Sequence, residues 1–125
     1  MSKKRKSRLP FDSRGGMLVA SRFLRESHVY ASMPPAAKVL MDLLHMQWRN
    51  DRPVAYGVRE AAKNICCAKN TATNAFKVLQ DRGFIICTDE SLFNSKTGSK
   101  TREWRLTWMP FNSQPPSNDW EKWKP

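Results

Sequence analysis

The side chains in this sequence that could do chemistry are overwhelmingly cations, and they fall in clusters. Lys3, Lys4, Arg5, Lys6 and Arg8 crowd the first eight residues, and Lys96, Lys100 and Arg102 gather within another seven. Such side chains carry fixed positive charge and N–H donors that suit phosphate oxygens. Over the whole chain 22 Lys and Arg stand against 11 Asp and Glu, a formal charge of +11. That imbalance points to a polyanionic partner, either nucleic acid or an anionic membrane surface. No run approaches the roughly 18 apolar residues of a membrane span, so no membrane partner is expected. A solvated basic surface without any partner is the plainer alternative.

Catalytic and metal chemistry is not signalled. His28 and His45 stand apart from each other and from any cysteine at ligand spacing, so no zinc motif appears. The acidic residues are scattered, with no pair placed for acid–base work. Gly15-Gly16 and Gly98 do not make a phosphate loop. The expectation is a non-enzyme without cofactor or metal. Cys66, Cys67 and Cys87 form no disulfide framework and suit a reducing compartment. The basic start is no signal peptide, because Pro10, Asp12, Arg14 and two glycines occupy the place of an apolar segment. Together these place the protein in the cytoplasm. Cys66 and Cys67 read as buried structural thiols, with a redox switch as the alternative.

The charged clusters need a scaffold, and the length suits one domain. Residues 1–16 read as a flexible basic arm closing on Gly15-Gly16, residues 17–110 as the folded domain, and residues 111–125 as a tail. Met17-Leu18-Val19-Ala20 suits a strand or a helix start, and residues 22–30 suit one or two helical turns. Ser32 is the expected N-cap of the first clear helix, opened by Pro34 and Pro35. Ala37, Leu40, Met41, Leu44 and Trp48 recur along it at helical spacing, and Val39, Leu43 and Met46 make it apolar almost all round. After an extended piece at 53–57, a second helix spans about 58–66. Residues 67–70 form a turn, and a third helix runs over about 71–82 until Gly83 stops it. Its apolar positions Ala72, Ala75, Phe76 and Leu79 share one face. The period then changes to two. Residues 84–88 and 103–108 suit strands, with Trp104, Leu106 and Trp108 facing one way and Arg105 and Thr107 the other. The polar stretch between them makes a long basic hairpin tip.

The order of these elements gives an α+β chain, mainly α. The run Thr71-Ala72-Thr73-Asn74-Ala75-Phe76-Lys77-Val78-Leu79-Gln80-Asp81-Arg82-Gly83-Phe84-Ile85 resembles the recognition helix and first wing strand of bacterial winged helix-turn-helix proteins. The shared pattern is a small-residue helix start, an apolar position, Leu, two polar residues, Gly, an aromatic or aliphatic residue and Ile. Phe93, Lys96 and Glu103-Trp104-Arg105-Leu106-Thr107 are similar to the wing of small phage and mobile-element proteins, where Pro34-Pro35-Ala36-Ala37-Lys38 would match the first helix. The resemblance covers roughly residues 17 to 110. It implies a winged helix-turn-helix with a C-terminal β-hairpin wing, the third helix entering the major groove and the wing reaching backbone or minor groove.

On such a helix Lys69, Asn70, Thr73, Asn74 and Lys77 point away from the core. Asn pairs with an adenine edge, Lys reaches guanine acceptors and the Thr methyl meets thymine. Asn70, Thr73, Asn74 and Lys77 are therefore the expected base contacts. Lys69, Lys96, Lys100, Arg102 and the arm residues Lys3, Lys4, Arg5 and Lys6 are the expected backbone contacts. The implied function is duplex DNA binding, as a sequence-specific transcription regulator of a phage or mobile element. The alternative is a non-enzymatic winged-helix interaction protein, a replication accessory or anti-defence factor. A weaker third option is RNA binding through the arm. Trp120 and Trp123 lie three apart after Asp119, which could cap one helical turn with both indoles on one face. Rings this large are expected to dock, on the chain's own first helix, on a second subunit in a homodimer, or on a foreign protein.

Overall fold

Two single-turn helices come first among the described residues. The computed structural model describes residue 12, residues 14–88 and residues 102–125. Ser21 Oγ accepts the Leu24 N–H at 3.2 Å and starts α1 (Arg22–Arg25). Ser27 Oγ accepts the Tyr30 N–H at 3.3 Å and starts α2 (His28–Ala31). Each hydroxyl satisfies a donor that a first helical turn leaves free. Residues 17–20 adopt no regular element, and Met17, Leu18 and Val19 are exposed.

The long helix α3 spans Pro35–Met46. Its N-cap is Pro34, not Ser32; the Ser32 hydroxyl instead closes α2, donating to the His28 carbonyl at 2.7 Å. Proline at the first position supplies the helical φ and lacks an N–H that would go unsatisfied there. Ala37, Leu40, Met41 and Leu44 are buried, whereas Val39 and Met46 are exposed, so α3 has one core face and is not enclosed all round. Trp48 lies beyond the helix end and donates its Nε1–H to the Pro110 carbonyl at 3.0 Å.

Strand β1 (Val54–Tyr56) follows, then α4 (Val58–Ile65), α5 (Lys69–Asp81), β2 (Ile85–Cys87) and β3 (Arg102–Leu106). The sheet is antiparallel in the order β1-β3-β2, with Val54 opposite Trp104 and Ile85 opposite Leu106. The extended piece at 53–57 is thus a full member of a three-stranded sheet. Helix α5 packs against both α3 and α4. Its inner face Ala72, Ala75, Phe76 and Leu79 is buried, as the spacing predicts. The chain is α+β and mainly helical, with the core between α3, α5 and one face of the sheet.

Thr107 departs from the alternation. It was expected to face outward with Arg105, yet it is fully buried. Strand β3 ends at Leu106, and the Thr107 Oγ1 donates to the Gly83 carbonyl at 2.6 Å. This ties the end of the strand to the end of α5. Gly83 itself has φ +83°, where a side chain is strained, and the Phe84 N–H closes back on the Leu79 carbonyl at 2.9 Å.

The C-terminal residues dock on their own chain. Trp120 is 4% exposed and stacks on Phe84 with ring centroids 5.9 Å apart, and Phe23 of α1 lies 5.9 Å from it on another side. Its turn is a 3₁₀ helix (Asp119–Lys122) preceded by Asn118, so Asp119 does not cap it. The Asn118 Oδ1 accepts the Trp120 Nε1–H at 3.1 Å. Trp123 lies under the Arg82 guanidinium, 4.3 Å from the ring centre. The shared aromatic face is thereby split between two different partners.

His45, on the last turn of α3, accepts the Trp108 Nε1–H at its Nδ1, 3.4 Å away. Burial pushes the imidazole below its ordinary value; Asp42 opposes this and Arg25 adds to it. A histidine with a depressed folded pKa binds protons more readily when unfolded, so its contribution is complete above about pH 6.5 and is lost as pH falls through the folded value. The melting temperature should therefore drop with acidification below about pH 6.5, and His45→Gln should flatten that part of the profile. Identical profiles for both proteins would show that His45 is not the titrating group.

Candidate nucleic-acid interface

The turn between α4 and α5 fixes the angle of the site. Cys66 takes the left-handed conformation, φ 67° and ψ 52°, just past α4. Its N–H and that of Cys67 both donate to the Ala62 carbonyl, at 2.9 and 3.0 Å. Both bonds converge on one carbonyl in the last turn of α4 and close the helix end. In this position Cys66 is exposed and Cys67 only half-buried, which corrects the expectation of two buried thiols. Ala68 then caps α5 in extended conformation, so the helix begins at Lys69. Lys69 and Asn70, expected in the turn, belong to the first helical turn.

Lys69, Asn70, Thr73, Asn74 and Lys77 are all exposed. Positions 70, 73, 74 and 77 follow the spacing of one helical face, a stripe about 10 Å long. The start of α5 has no capping side chain and no acidic residue in its first turn. Its free N–H groups and the positive end of the helix dipole favour an anion there.

The sheet holds this helix in place. Phe76 stacks on Trp104 with centroids 5.2 Å apart, and the Trp104 Nε1–H donates to the Tyr56 carbonyl at 3.1 Å. The Asn64 side-chain amide donates to the Tyr56 hydroxyl at 2.8 Å, joining α4 to β1. Arg102, the first residue of β3, is exposed and sits opposite Tyr56. A cleft of about 280 Å³ separates α5 from the sheet, with Thr73, Lys77 and Arg102 on its walls.

The structure thus brings Thr73, Lys77 and Arg102 to one cleft and keeps Lys69, Asn70 and Asn74 on the adjoining helix surface. Lys3, Lys4, Arg5, Lys6, Lys96 and Lys100 lie outside the described residues. Sequence reasoning missed Gln80, which lines the cleft, and the cations Arg59 and Lys63 on the exposed side of α4. The last two stand four apart, a spacing that marks a common helix face. Among the described residues no group of three or more His, Cys, Asp or Glu side chains could hold a metal ion, and no helix is long and apolar enough to cross a membrane. No protein-family model matches this chain, and neither characterised proteins nor solved structures offer a match.

Proposed function

We propose that the chain is a winged helix-turn-helix protein that binds duplex DNA, with α5 in the major groove and the β2–β3 hairpin as the wing. The observation that carries this reading is the exposed stripe Asn70, Thr73, Asn74 and Lys77 on α5. It offers side chains suited to base edges. Arg102 stands beside it on the same cleft, and the start of α5 is open to a phosphate. The order helix, strand, helix, helix, strand, strand, with β1 on the far edge of β3, fits that fold. The net charge of +11 supplies the attraction to backbone. A regulator that reads sequence, acting in the cytoplasm without catalysis or cofactor, is the role this surface serves best. The resemblance to mobile-element proteins suggests where it works. The interaction-protein reading loses one of its supports, because Trp120 is buried within its own chain.

The test is fluorescence anisotropy of labelled duplexes across salt concentrations. Affinity should fall steeply with salt, each neutralised phosphate adding roughly 0.9 to the log–log slope. A folded protein with no affinity for any duplex at low salt would contradict the proposal.

A further inference from the structure

We infer that the cleft between α5 and the sheet binds a small planar aromatic anion, and that this ligand competes with DNA for Thr73 and Lys77. The second half rests on the DNA-binding reading; the first does not. The cleft holds about 280 Å³ and is bounded by Tyr56, Val58 and Trp104 as well as by Phe76 and other side chains of α5. An apolar cavity of about 150 Å³ accommodates one benzene ring, so this one suits a bicyclic molecule.

The lining sets the ligand's chemistry. Phe76 and Trp104 are stacked on each other, 23° from parallel, and nearly buried, so together they form the apolar floor of the cleft. Trp104 is locked by its bond to the Tyr56 carbonyl, so the floor is formed before any ligand arrives. At the rim stand two cations, Lys77 and Arg102, and the polar groups of Thr73 and Gln80, whereas among the described residues no carboxylate lines the cleft. Apolar walls with a few converging polar groups are the usual make-up of a small-ligand site. Here those groups favour a carboxylate or sulfonate, because an anion leaving water needs charged donors in return. Both Lys77 and Thr73 also belong to the exposed face of α5. A ligand that engages them withdraws them from base contacts.

The experiment uses the full chain with 2-naphthoate and its neutral counterpart 2-naphthamide, followed by calorimetry and by amide and indole NMR. The acid should bind at least tenfold more tightly than the amide and should shift the Trp104 indole more than those of Trp108 or Trp120. Replacing Lys77 and Arg102 together with Met should reduce the acid's advantage over the amide to less than twofold, and a tenfold preference that survives the double replacement would overturn the site. Equal affinities of acid and amide for the wild-type chain would overturn the site, whatever the variants do. So would shifts centred on Trp120, or no shifts at all. Adding 2-naphthoate to a duplex complex should raise the apparent Kd for DNA at least fivefold. If the acid binds but no duplex does, the DNA reading fails and the site stands. If both bind without affecting each other, competition is refuted.

Discussion

Gly83→Ala should destabilise the protein by about 3 kcal/mol, the combined cost of a left-handed non-glycine residue and of local overpacking. Gly83 has φ +83°, and a Cβ there would lie 2.9 Å from both the carbonyl carbon and the oxygen of Asp119. Those are backbone atoms, so the clash is relieved only by moving the segment that carries Trp120. The stiffer unfolded chain of the Ala variant returns roughly 0.4–1 kcal/mol at most. Urea denaturation measures the difference. A change below about 1 kcal/mol would mean that the C-terminal segment does not approach α5 as described.

Truncation after Gln114 should have an effect of similar or greater size. It removes Trp120, which is 4% exposed, and uncovers Phe84. An indole buries roughly 150–250 Å², which at about 25 cal/mol per Å² corresponds to an upper bound of roughly 4–6 kcal/mol. Arg82 also loses the Trp123 ring beneath its guanidinium, although it keeps its bonds to the Val29 carbonyl and the Ser32 hydroxyl at 2.7 and 2.6 Å. Calorimetry should show a melting temperature lower by on the order of 10–20 °C. The two changes share one contact and should not add: in the truncated chain Gly83→Ala loses its steric component and keeps only the backbone strain. An unchanged melting temperature on truncation would show the tail undocked.

The inner face of α5 was legible because Ala72, Ala75, Phe76 and Leu79 repeat cleanly, and the same repeat assigned the outward residues. Its first turn was not, because Ala68 caps through backbone conformation alone and leaves no side-chain signature. Strand β1 is three residues long, too short to display a period, and its membership in the sheet depends on pairing with residues about fifty positions later. Thr107 broke the alternation because the strand stops one residue before it and a glycine carbonyl takes its hydroxyl. The two tail indoles announced that something must cover them. Which surface does so is a long-range fact, set by Phe84 and by the bare backbone at Gly83. The cleft beside α5 was invisible in the sequence, since its walls come from four separate elements.

The claim that α5 reads DNA is tested most directly by selecting preferred duplexes from a random pool and titrating them against the wild-type chain and against Asn74→Ala and Lys77→Ala. Each variant should lose on the order of 1–3 kcal/mol on the selected duplex, with relaxed preference at one position and little loss on random sequence. Equal losses on selected and random duplexes, or a pool that yields no preferred sequence, would contradict the assignment of α5 as the reading helix.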